Sequence, residues 1–172
     1  MRRGHDSTEG ACQPTSARYS GLCALSVLMA LAASAATLPA DPLVGAWRLD
    51  LARTHYGPGA DQRKQETFTC EARDSGVTCT VRSIRSNGRA LVGRFAAAYD
   101  GRAYPVEGIP DVDEVSLRRV DAFVADATFS YRGKPVFGYR SVRSSNGRSL
   151  IVVSVDPVTR RVLNSVVVYE NH

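Results

Sequence analysis

The sequence predicts an all-β fold, a single antiparallel up-and-down barrel of about 8–10 strands. Three observations lead there. Short apolar stretches recur with turn residues about every 8–15 positions. No stretch carries a convincing amphipathic helical period. The turns are hairpin turns, so each strand is expected to pair with its sequence neighbour. A content of 44% hydrophobic and 23% charged residues excludes a disordered chain, and 172 residues suffice for one domain.

The first forty residues read as a leader. Gly21 to Ala36 is apolar and uncharged, shorter than the roughly 20 residues a spanning helix needs. Arg2, Arg3 and Arg18 precede it, and Ala33-Ser34-Ala35 has the A-x-A form that a signal peptidase accepts. Residues 1–40 are therefore expected to be a signal peptide cut between 35 and 40. Residues 41–172 form the barrel domain, placed in the periplasm or secreted, with no stable membrane anchor. Cys23 lies at the start of the apolar run, the wrong place for a lipid anchor.

The strands follow in order. Leu43 to Leu49 opens the domain and holds the single Trp, Trp47. Leu51 to Tyr56 has room for one helical turn before Gly57-Pro58-Gly59 stops it. Gln65 to Ala72 and Val77 to Arg85 follow, then the hairpin dipeptide Asn87-Gly88. Ala90 to Tyr99 leads to Asp100-Gly101. Ala103 to Val106 is an edge-like piece, because Pro105 has no N–H to donate. Val115 to Val120 and Ala122 to Tyr131 come next, with a turn at Arg132-Gly133. Val136 to Val142 reaches Asn146-Gly147, Leu150 to Val155 turns at Asp156-Pro157, and Val162 to Tyr169 closes the chain.

Alternation gives the inward faces. Leu91, Gly93, Phe95, Ala97 and Tyr99 share one, and Phe123, Ala125, Ala127, Phe129 and Tyr131 share another. Phe68, Cys70 and Ala72 fall on one face with Val77, Cys79 and Val81 when the chain folds at Asp74-Ser75. Cys70 then meets Cys79 directly. An exported chain that has lost Cys12 and Cys23 keeps this one pair, so a cross-strand disulfide is expected.

Candidate chemistry is sparse. Loss of the leader leaves His55 and His172 and lowers the net charge from +5 to +4. No G-x-S-x-G elbow occurs. His55 reads as a solvated loop residue, and Asp111, Asp113 and Glu114 as a solvated acidic loop lacking the ligand set of a calcium loop. No catalytic residue, metal or cofactor is expected. The chain holds 20 Arg and 2 Lys, but they are scattered, and no basic cluster or nucleic-acid motif marks a nucleic-acid partner.

The layout carries a resemblance. Gly45-Ala46-Trp47 resembles the G-x-W opening of lipocalins and related calycin barrels. The wider series adds the Gly57-Pro58-Gly59 break, Tyr99-Asp100-Gly101 through Val106, Val115 to Asp121, Asn146 to Leu150 and Val168-Tyr169-Glu170. It is similar to a family of uncharacterised exported bacterial proteins with lipocalin-like barrels, over roughly Leu43 to Glu170. The resemblance implies a fold and no activity. It also implies that Trp47 packs at the closed barrel end beneath a basic residue from a late strand, Arg140 or Arg143. The Cys70–Cys79 pair is an addition to the family pattern.

Three functional expectations follow. The first is a non-enzymatic barrel that binds a small, partly apolar molecule, with Phe95, Tyr99, Phe123, Phe129, Tyr131, Tyr139 and Arg140 as candidate contacts. A barrel of this size is wide enough for one ligand, and Gly93, Ala97, Ala125 and Ala127 are small enough to leave room. The second is an envelope structural or protein-interaction module with a filled barrel. The third is a barrel isomerase or hydrolase.

Overall fold

A computed structural model describes residues 41–60 and 62–172; the expected leader at residues 1–40 lies outside the described residues. The described chain forms ten strands: β1 (Gly45–Leu49), β2 (Arg63–Arg73), β3 (Gly76–Arg85), β4 (Ala90–Ala98), β5 (Tyr104–Glu107), β6 (Glu114–Arg119), β7 (Val124–Tyr131), β8 (Lys134–Arg143), β9 (Ser149–Val155) and β10 (Val162–Asn171). Every neighbour pair is antiparallel and consecutive. Closure comes from β1, which pairs with both β2 and β10. The fold is thus a closed up-and-down barrel, the arrangement that leaves no sheet edge unpaired.

The turn chemistry explains the connectivity. At β7–β8 the two linking residues, Arg132 and Gly133, have φ of 52° and 73°. Two positive φ values in a two-residue link match the right-handed twist of the flanking strands. Around Asn87-Gly88 and Asn146-Gly147 the links are longer, and the Asn side chains cap them: Asn87 Oδ1 accepts from Arg89 N at 3.0 Å, and Asn146 Oδ1 from Arg148 N at 3.0 Å. The expected helical turn after β1 is a plain turn, with Thr54 N donating to Leu51 O at 3.3 Å. Pro105 lies in β5, whose ladders to β4 and β6 each run over two residue pairs. Closure makes this piece a thin seam of the barrel instead of an edge.

Cys70 pairs directly with Cys79 and the two are disulfide-bonded, Cα to Cα 4.2 Å. Both sulfurs lie in the main core cluster with Val77, Val115 and Leu117. Gly93 makes room for something other than a ligand. A Cβ there would lie 2.6 Å from Ile109 Cγ1, so the side chain of the β5–β6 loop occupies the space that glycine leaves.

The ends of the barrel differ. One end receives the β2–β3, β4–β5, β6–β7 and β8–β9 links and the segment Asp41–Val44. Trp47 is 1% exposed there and donates from Nε1 to Leu43 O at 2.8 Å. Arg143 lies over the indole at 5.4 Å and donates to Asp41 O and Val44 O at 2.8 and 2.9 Å. The basic residue above Trp47 is therefore Arg143; Arg140 points outward. The opposite end is open.

Candidate functional site

The open end leads into a cavity of about 830 Å³. The β1–β2, β5–β6 and β9–β10 loops supply its mouth through Pro58, Pro110 and Pro157. Along β4 to β7 its wall is apolar: Leu91, Phe95, Leu117, Ala127 and Phe129. Phe129 is the hub of an aromatic cluster. Its ring centroid lies 6.1 Å from Phe95, 4.9 Å from Phe137 and 6.0 Å from Tyr139, within the range where edge and offset contacts are favourable.

The wall formed by β2, β3 and β8 to β10 carries the polar groups. Glu66 belongs to the inward face of β2, two residues before Phe68 and four before Cys70. Arg63 reaches the same interior through a bulge. Arg63 opposes Arg85 and Gln65 opposes Ile84, so Lys64 is an extra residue in β2. In a regular strand, residues three apart point to opposite faces; one inserted residue brings them to the same side.

Arg63 Nε lies 3.2 Å from Glu66 Oε2, and Nη1 donates to Oε1 at 3.3 Å. Nη1 also donates to the Tyr169 hydroxyl, and Nη2 to the Tyr139 hydroxyl, each at 3.4 Å. Tyr169 donates in turn to Glu66 Oε1. Ser83, opposite Glu66 on β3, adds a further hydrogen bond to the carboxylate.

Burial pushes the Glu66 carboxyl above its ordinary value, against the pull of Arg63, Tyr169 and Ser83. Burial opposes the charge on Arg63, but Glu66 and the surrounding tyrosines outweigh it and hold the guanidinium charged. Burial, reinforced by the neighbouring Glu66, raises the Tyr169 hydroxyl well above its usual value. The Tyr56 hydroxyl, also raised by burial, lies near the Arg63 backbone amide yet has no hydrogen-bond partner. A buried polar atom left unpaired is uncommon and calls for a physical account.

Of the residues singled out from sequence, Phe95, Phe129 and Tyr139 line the cavity. The other four do not. Tyr99 packs at the closed end and donates to Asp41 Oδ1 at 2.7 Å. Phe123 and Tyr131 fall at the two ends of the β7 alternation, where the strand runs out of the barrel, and are 43% and 38% exposed. Arg140 lies on the outer face in a two-point pair with Asp126, both contacts at 2.9 Å. Asp126 also binds Arg160 of the β9–β10 loop at 2.7 Å. His55 is exposed, and its backbone bridges Val166. Among the described residues no group of three His, Cys, Asp or Glu side chains is placed to hold a metal ion.

Sequence reasoning missed Arg63, Glu66, Tyr56 and Tyr169. Glu66 was within reach: carrying the Phe68–Cys70–Ala72 face two residues back places a carboxylate on the dry side. Arg63 was not, because no residue type announces the bulge at Lys64. No family model, curated protein or solved structure matches the chain.

Proposed function

We propose that this chain is an exported, non-enzymatic barrel protein, periplasmic or secreted, that binds a small, partly apolar molecule in its interior. The cavity carries this reading. Its volume of about 830 Å³ falls within the roughly 300–1,000 Å³ of small-molecule sites, and its few polar groups converge on one wall of an otherwise apolar space. A barrel that serves only as a filled scaffold has no use for such a void. The Glu66 carboxylate is engaged by Arg63, Tyr169 and Ser83, which leaves it poorly placed to move a proton.

Export is supported by the apolar run and A-x-A site before residue 41, and by the disulfide, since paired cysteines persist in oxidising compartments. Kinship with exported lipocalin-like barrels is supported by Gly45-Ala46-Trp47 and by Arg143 above the indole.

Native mass spectrometry on protein recovered from the exported fraction of its own host tests the reading. The expected result is a chain beginning between residues 36 and 41 with one small adduct lost on activation. A chain without adduct that also fails to take up a neutral apolar fluorophore would overturn it.

A further inference from the structure

Resting on the binding reading, the chemistry of the polar wall narrows the ligand. The Glu66 acceptors there are taken. Glu66 Oε1 receives Tyr169 and Arg63, while Oε2 faces Arg63 Nε at 3.2 Å. The donors are not. Tyr139 accepts from Arg63, which leaves its own proton without an acceptor, and the Tyr56 proton has none either. Arg63 carries five N–H groups, more than these contacts use. Among the described residues the charges lining the cavity balance, with Arg63 and Arg85 against Glu66 and Asp111. A carboxylate ligand on this wall would face Glu66, and an ammonium would find both Glu66 oxygens already engaged.

We infer that the ligand is an uncharged molecule with an apolar body and one hydrogen-bond-accepting oxygen, of the ketone, ester or lactone class, which takes the protons of Tyr56 and Tyr139. The aromatic group around Phe129 receives the body. The oxygen satisfies the hydroxyl that the empty barrel leaves buried and unpaired. Binding such an oxygen requires no proton uptake and no loss of the Arg63–Glu66 pair.

The test uses protein purified from expression of the full chain. Dodecan-2-one, methyl decanoate, dodecanoate and dodecylammonium compete against N-phenyl-1-naphthylamine, a neutral fluorophore, at pH 7. The ketone and the ester are expected to displace it at least about tenfold more tightly than either ion, roughly what one or two hydrogen bonds supply. The double variant Tyr56→Phe/Tyr139→Phe is expected to lose that preference while still taking up the fluorophore. Tighter binding of dodecanoate or dodecylammonium overturns the inference and leaves ligand binding standing. So does an unchanged ketone affinity in the double variant. Failure of the fluorophore and all four competitors to enter wild-type protein overturns the binding reading itself. Should the double variant fail to fold, the wild-type ranking still decides between a neutral and a charged ligand.

Discussion

At the closed end of the barrel Trp47 is buried beneath Arg143, and the polar groups around it are partnered: the indole N–H, the guanidinium and the Tyr99 hydroxyl all donate. At the open end a void of about 830 Å³ separates the walls, and the Tyr56 hydroxyl is buried with nothing to bind. Both ends use the same antiparallel ladders, so the backbone does not set them apart. The difference lies in what the inward side chains do. Those at the closed end fill space and satisfy one another; those at the open end stand back and keep donors in reserve. A barrel of this kind concentrates its packing at one end and leaves the other hollow.

The sharpest way to break that division is to empty the closed end. Trp47→Ala removes the largest fully buried side chain together with its bond to Leu43 O and its contact with Arg143. Large aromatic deletions in cores cost about 3–5 kcal/mol, and urea unfolding should show a loss of that size. Fluorophore affinity of the folded fraction should stay within about twofold, an energy difference below one hydrogen bond. An affinity loss matching the stability loss would mean that the two ends are one unit.

An intermediate effect is expected at the mouth. Asp126 binds Arg140 and also Arg160, whose Nη1 donates to Thr128 Oγ1 at 3.0 Å, so one carboxylate ties the β9–β10 loop to β7. Partial burial opposes ionisation there, but the hydrogen bonds from Arg140 and Arg160 outweigh it and hold the carboxyl below the ordinary range. A carboxyl whose pKa is lowered by folding adds stability above its unfolded value, and that stability is lost as pH falls through the folded value. Asp126→Asn should therefore cost about 1–2 kcal/mol at pH 7, allowing for the half-exposed arginines. The gap to wild type should begin to narrow near about pH 4 and close only as pH falls through the lower folded value. Urea midpoints for both proteins at pH 7 and pH 3 decide it; a gap that widens in acid would show that the pair does not stabilise the native state.

How much of this was readable in advance follows the same line between backbone and side chain. The barrel, its hairpins and the Cys70–Cys79 bridge follow from alternation and turn residues, which act locally. Strand interiors were legible too: Phe95 and Phe129 face inward as their parity requires. Strand ends were not. Phe123 and Tyr131 keep the parity of Phe129 but lie where β7 leaves the barrel, so parity alone no longer buries them. Arg140 has outward parity opposite Asp126, and sequence offers no sign that its partner lies across the next strand. Arg63 depends on a single inserted residue, a feature of register that composition does not carry.

The smallest effect is the most telling, because its two readouts should move in opposite senses. Tyr56→Phe deletes one oxygen that is buried without a partner. Removing an unsatisfied polar atom while keeping the ring relieves a desolvation cost, so stability should hold or rise by up to about 1 kcal/mol. The same change should weaken binding of dodecan-2-one severalfold, since the ketone loses one of its two expected donors. A protein that places its donors for a ligand gains stability when one is deleted and loses affinity; a protein that merely tolerates a packing flaw gains stability alone. Paired measurement of the urea midpoint and the ketone displacement constant on this one variant separates the two.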